Sequence, residues 1–277
     1  MAPMTVTRAE RRWAAADAGD AADARDRDRG AGLALSVVVP AYDEARRLES
    51  SLPRLLDYLA RFRPESEVIV VDDGSRDETA RVATQAAGAG GRVRVVRHAR
   101  NRGKGAAVRT GVRLARGRVV VFLDADLSTP PEELPRLVAP LETPPEAGGA
   151  DIAIGSRRVE GAAIEVNQPR RRVVIGRLFN RAVARLLVPG IDDTQCGFKG
   201  FRRGAATILF ERTWVRGFGF DVELLFAARR LGLVVREVPV RWRDDARSTV
   251  RPMRDGLRVT AEVGKILVAW AAGRYRR

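Results

Sequence analysis

Five short runs, LSVVVP (35–40), EVIVVDD (67–73), RVRVVRH (92–98), RVVVFLDAD (118–126) and ADIAIGS (150–156), are rich in Val and Ile and mostly lack apolar–polar alternation. Strands of that kind are covered on both faces, which requires a sheet held between two layers of helices. The intervening segments have the helical period: DEARRLESSLPRLLDYLARF (43–62), RDETARVATQAAG (76–88), GKGAAVRTGVRLARG (103–117) and STPPEELPRLVAPLE (128–142). Strand followed by helix, repeated, predicts an α/β, Rossmann-like domain with an open, mostly parallel sheet. Asp77 suits a helix start, Pro130 and Pro131 suit a first turn, and Gly88 and Gly117 suit helix stops.

In such a sheet, ligands bind beyond the carboxyl ends of the strands. The polar clusters PAYDE (40–44), DDGS (72–75), HARNRGKG (98–105) and DADLS (124–128) all fall at that edge. One Asp before a Gly is ordinarily a turn; four clusters converging on one crevice point to a site. Asp124 and Asp126 stand two apart on an extended segment, so both carboxylates point to one side. Two hard oxygen ligands suit Mg²⁺ or Mn²⁺, with water and substrate phosphates completing the shell. Asp72 and Asp73 are placed to accept from the imide N–H of uracil or the N–H groups of guanine, with Tyr42 stacking on the ring. GKG (103–105) lacks the spacing of a P-loop, but a helix starting there can turn N–H groups toward a phosphate. His98 reads as a strand-end residue near the nucleotide, and Cys196 as an inert buried thiol.

With 277 residues, 45% of them hydrophobic and 31% charged, the chain can build one large core. The single cysteine precludes an internal disulfide, and no leader pattern opens the chain, so a reducing, cytoplasmic setting is expected. No apolar run reaches the roughly 18 residues needed to cross a bilayer. The net charge of +15 calls for an anionic partner: a nucleotide, a nucleic acid or an anionic membrane. A nucleic-acid-binding role ranks low, because zinc spacing, RNA-recognition signatures and an aromatic stacking series are missing and aromatics are only 6% of residues. Residues 1–32 read as a disordered tail and 33–250 as the main domain, with a nucleotide half (33–150) and an acceptor half (151–250). Residues 251–277 read as a basic amphipathic helix. A second cationic amphipathic helix is expected where Arg177, Arg181 and Arg185 recur every four residues beside an apolar face. Both suit peripheral contact with an anionic membrane.

The motifs VVVPAYDE, VIVVDDGSRDETA, NRGKGAAVRTG, FLDADLST, GSR and DTQCGFKGF, in this order, resemble glycosyltransferase family 2, in particular its dolichyl- or polyprenyl-phosphate sugar transferases of the dolichyl-phosphate β-glucosyltransferase-like branch. That resemblance implies a GT-A fold, a nucleoside-diphosphate sugar donor, Mg²⁺ or Mn²⁺ at the DAD segment, and inversion at the anomeric carbon. It implies that Pro40, Tyr42, Glu44, Asp72 and Asp73 line the nucleoside pocket, that Asp124 and Asp126 hold the metal diphosphate, that Lys104 lies beside the nucleotide, and that Gln195 of DTQCGF meets substrate. Four positions depart from the pattern. Asp43 stands where Asn is usual, and Ser128 where mannosyl relatives carry Gln. Val238 occupies the Gln position before PVRW that processive synthases use, which speaks against polymerisation. Thr249 replaces a common Lys, leaving Arg247 or Arg251 for that role. The expected reaction moves glucose from UDP-glucose to a polyprenyl or dolichyl phosphate at the inner face of the plasma membrane. GDP-mannose as donor and a saccharide hydroxyl as acceptor are the alternatives. A phosphate monoester, with a second pKa near about 6, is already an anion and needs positioning by cations more than a base. Arg157, with Arg177, Arg181 and their neighbours, is assigned to it, and Asp193 or Asp192 is the base for an alcohol acceptor.

Overall fold

A computed structural model describes residues 33–88, 92–166, 187–243 and 252–275, with the side chains of 165, 166 and 252–260 left aside. The strands are β1 (Leu35–Ala41), β2 (Ser66–Asp72), β3 (Val93–Arg97), β4 (Val119–Leu123), β5 (Ile152–Ser156), β6 (Ala163–Val166), β7 (Phe198–Arg202), β8 (Val235–Pro239) and β9 (Arg241–Arg243). The helices are α1 (Ala45–Phe62), α2 (Thr79–Ala87), α3 (Lys104–Leu114), α4 (Leu134–Glu142), α5 (Arg203–Arg212), α6 (Phe220–Leu231) and α7 (Pro252–Ala271). Seven strands form one sheet in the order β3-β2-β1-β4-β7-β5-β8, and β6 pairs with β9 in a two-stranded ribbon. Within the large sheet only β7 runs antiparallel to its neighbours, β4 and β5.

The Val-rich runs are uninterrupted because each face of the sheet has its own core. In β4, Val119, Val121 and Leu123 pack with Leu48, Leu52 and Leu55 of α1 and Leu134 and Leu137 of α4. Val120 and Phe122 point the other way, into α3, α5, α6 and Ile266 of α7. β3 departs from the expectation of full coverage: it is an edge strand of half-buried residues, and Arg94 and Arg97 keep that edge polar. The C-terminal helix docks on α6 through Phe226, whose ring lies 6.0 Å from Trp270 and 5.6 Å from Tyr275. The expected tail at 1–32 and the helix carrying Arg177, Arg181 and Arg185 lie outside the described residues, as does Arg247.

Candidate active site

The carboxyl ends of β1, β2, β3, β4, β5 and β8 share one edge, and β7, running the opposite way, brings its amino end to the same place. At β1, Pro40 is buried, and Ala41 is followed by half-buried Tyr42 and by Asp43 in a left-handed conformation with φ 54°. Asp and Asn are the residues that tolerate such a φ. The Asp43 carboxylate uses it to accept the backbone N–H of Arg76 at 2.8 Å.

The two carboxylates at the tip of β2 both make contacts within the protein. Asp73 accepts from the backbone N–H groups of Arg102 (3.0 and 3.1 Å) and Gly103 (2.7 Å), and lies 2.6 Å from His98 Nδ1. Asp72, with no exposed side-chain surface, accepts from the Ser75 N–H at 2.9 Å and faces Arg97 Nε at 3.0 Å. These contacts fold the 74–76 and 98–103 loops onto the strand tip, while Asp72 Oδ2 is left without a hydrogen-bond partner. The helix-terminus expectation is corrected. The N–H groups of Gly105 and Ala106 at the start of α3 both point to the carbonyl of Arg216, at 2.8 and 3.3 Å.

Asp124 and Asp126 follow β4. The Ser128 N–H donates to Asp126 Oδ1 at 2.9 Å. Burial, and then the charge of Asp124, push the Asp126 carboxyl above its ordinary range. Burial likewise raises Glu44, against its two contacts with Arg47 at 2.7 and 2.8 Å, and the charges of Asp126 and Asp124 add to the rise. Asp124 Oδ1 holds the Lys104 ammonium at 2.6 Å. The other side of that carboxylate rests on Gly197, where a Cβ would stand 2.0 Å from Oδ2 and 2.5 Å from Cγ. Two neighbouring carboxylates, the charge of Asp124 raising the proton affinity of Asp126 and Asp124 itself already holding a cation, fit a divalent ion that completes its shell with phosphate and water. No group of three or more His, Cys, Asp or Glu side chains with metal-binding geometry occurs among the described residues, so a wholly protein-made cage is not what this edge offers.

On the same edge, Arg157 follows β5. Its Nε and terminal nitrogen donate to the two oxygens of Asp193 at 2.7 and 2.9 Å, and its backbone N–H adds a third bond at 3.1 Å. Trp242 of β9 covers the guanidinium, 5.1 Å from ring centre to carbon. Glu237 fixes the loop beneath by accepting the N–H groups of Asp192 and Asp193 at 2.8 and 3.0 Å. Burial alone would raise the Asp193 pKa; the charge and hydrogen bonds of Arg157 outweigh it and hold the carboxyl below the usual range. As a proton acceptor Asp193 is therefore unsuited, which corrects that expectation: its oxygens are occupied and its basicity is low. Gln195 is half-buried on the turn into β7, and burial pushes the neighbouring Cys196 thiol up to about 11.

Sequence reasoning missed one cluster. Lys199, on β7, is fully buried and donates to Asp221 of α6 at 2.5 Å and to the Cys196 carbonyl at 2.6 Å. Asp221 acts electrostatically on Lys104 as well. The available signal was a lysine amid the apolar residues of CGFKGF and an acid in the apolar run FDVELLF.

The sequence profile described as "Glycosyl transferase family 2" matches residues 36–209. The chain belongs to glycosyltransferase family 2. It is 40% identical over 253 residues to the dolichyl-phosphate beta-glucosyltransferase of Drosophila melanogaster, covering 88% of this chain and 77% of that protein. The human protein of that name is 36% identical over 251 residues, with 87% and 77% covered. The fold matches glucosyl-3-phosphoglycerate synthase of Mycobacterium tuberculosis with TM-score 0.63 and 25% identity, over 87% of this chain and 84% of that one. This family 2 glycosyltransferase thus has the GT-A fold, and the crevice described above lies beyond the carboxyl ends of its parallel strands, where open α/β sheets bind ligands.

Proposed function

We propose that this glycosyltransferase moves glucose from UDP-glucose to a polyprenyl or dolichyl phosphate, with inversion and with Mg²⁺ or Mn²⁺ held by Asp124 and Asp126. The observation that carries the reading is the pair of opposed charges across one edge: two carboxylates after β4 and a clamped guanidinium after β5. The names of the relatives above supply the sugar and the lipid. When bound, the divalent ion neutralises the departing diphosphate. Asp124 and Asp126 would place it, and Lys104, 2.6 Å from Asp124 Oδ1, lies beside that carboxylate. Arg157, fixed by Asp193 and Trp242, presents its remaining N–H groups to the acceptor phosphate. An oxygen of that phosphate attacks the anomeric carbon as the bond to UDP breaks. Because the acceptor is already an anion, no side chain has to remove a proton, which agrees with Asp193 being a poor base.

Membrane contact is supported by α7. No helix among the described residues is long and apolar enough to cross a bilayer, but Leu267, Val268 and Trp270 are exposed on α7, near Lys265 and Arg274. Such a surface suits peripheral attachment to the cytoplasmic leaflet, where anionic lipids add to the apolar contact. The test is transfer by purified protein with Mn²⁺, UDP-glucose or GDP-mannose as donor, and a short prenyl phosphate, a prenyl alcohol or 3-phosphoglycerate as acceptor. The proposal expects product from UDP-glucose and prenyl phosphate, and co-sedimentation with anionic vesicles that weakens when Arg177, Arg181 and Arg185 become Gln. Transfer to the alcohol alone, or to 3-phosphoglycerate alone, refutes the lipid-phosphate assignment.

A further inference from the structure

The chain contains 50 Lys and Arg residues, of which only Lys104, Lys199 and Lys265 are lysines. Two of those three meet at the site. Lys199 is buried against Asp221, and Lys104 holds Asp124 Oδ1 at 2.6 Å while feeling the charge of Asp221 behind it. Arginine binds a carboxylate through a planar two-pronged fork, whereas lysine presents a compact point charge that exchanges partners without geometric penalty. Lys104 also sits against local preference, as a cation in the first turn of α3 with no acid there to offset it. A residue that breaks a local rule at a strand-end crevice calls for a functional explanation.

The charges around Lys104 supply one. With both lysines protonated, Asp124, Asp126 and Asp221 exceed them by one negative charge; a divalent cation turns that into an excess of one positive charge, and a donor diphosphate reverses it again. The oxygen that Lys104 occupies belongs to one of the two carboxylates assigned to the metal. We propose that Lys104 is an exchangeable counter-ion: it competes with the divalent cation for Asp124, yields to it, and turns to the donor diphosphate. The inference rests on the metal-dependent reading above. Lys104 therefore opposes metal binding in the absence of nucleotide and favours it in the presence of UDP, and the buried Lys199–Asp221 pair keeps its ammonium near both positions.

Mn²⁺ titrations followed by electron paramagnetic resonance, with and without UDP, test this on wild type, Lys104→Met and Lys104→Arg. Without UDP, Lys104→Met should bind Mn²⁺ about tenfold more tightly than wild type, equivalent to about 1.4 kcal/mol, and Lys104→Arg more weakly. With UDP, the order of wild type and Lys104→Met should reverse. Wild type provides a check independent of any variant's folding: acetylation of Lys104, read by mass spectrometry, should rise on adding Mn²⁺ and fall when UDP follows. Unchanged or weaker Mn²⁺ binding by Lys104→Met without UDP, or Lys104 labelling that ignores Mn²⁺, overturns the exchange while leaving a metal-dependent enzyme intact. UDP binding by wild type that is indifferent to Mn²⁺ overturns both.

Discussion

Replacing Gly197 by Ala places one methyl group against the Asp124 carboxylate. Its Cβ would lie 2.0 Å from Oδ2, and since ordinary contact begins near 3.4 Å, the carboxylate must retreat by about 1.4 Å. The backbones cannot share that movement easily, because Phe198 at the head of β7 is paired with Leu123 at the end of β4. Gly197 has no left-handed φ, so alanine meets no conformational penalty of its own. The side chain of Asp124, 37% exposed, is free to swing outward, and the stability cost should stay near about 1 kcal/mol. Function has no such latitude. Mg²⁺ demands near-ideal ligand geometry, and a displacement of about 1 Å can cost a hundredfold, so kcat/KM for transfer should fall by about a hundredfold or more. Mn²⁺ titration, prenyl-phosphate glucosylation and thermal melts measure the three quantities. Transfer within about tenfold of wild type, at unchanged Mn²⁺ affinity, would refute the placement of the metal at Asp124.

Asp126→Ala should abolish transfer and Mn²⁺-dependent UDP binding without lowering Tm, as chelation of wild type should; activity surviving either treatment removes the metal role. Asp193→Asn should cost about 3 kcal/mol at neutral pH, the low end for breaking a buried pair because Arg157 keeps 22% of its side chain exposed. Since folding lowers the Asp193 pKa below the ordinary 3.8, the pair's contribution is complete above that value and is lost as pH falls through the folded pKa. Acid melts of wild type and Asp193→Asn should therefore converge, and parallel curves contradict the ion pair. Asp73→Asn should lower Tm by weakening the 102–103 loop contacts, at about 2 kcal/mol, and reduce UDP-sugar and GDP-sugar binding alike; a switch in base preference at unchanged Tm argues for direct readout. Val268→Glu, at a position 71% exposed, should weaken vesicle binding and leave prenyl-phosphate turnover in detergent unchanged.

The layered architecture was legible because unbroken Val runs in β1, β2 and β4 have a single physical explanation, burial on both faces. Asp124 and Asp126 were expected to share a side by strand alternation, but β4 ends at Leu123 and the Leu127 N–H donates to the Asp124 carbonyl at 3.1 Å, so a turn and not strand periodicity sets their placement. What each carboxylate does was not legible either. Asp72 and Asp73 look alike on paper, and only the fold shows that the loop after β3 delivers two N–H groups to Asp73 and that Arg97 reaches Asp72. Partners far apart in sequence were equally hidden. Arg157 meets Asp193 and Lys199 meets Asp221 because β7 lies between β4 and β5, an order that no local pattern announces.

That inserted strand also governs how the molecule is assembled. β5 is synthesised before β7 yet lies beyond it in the sheet, so it cannot dock on β4 when it emerges; a slot must wait for Phe198–Arg202. Until then the Val119–Leu123 edge carries unpaired backbone groups on one of the most apolar strands of the chain, the kind of surface that recruits foreign strands. A nascent chain halted ahead of residue 198 should thus be an aggregation hazard as well as an inactive fragment. Closure of the slot creates the Asp124–Gly197 contact, which makes filling the gap and completing the crevice one event in the life of the polypeptide.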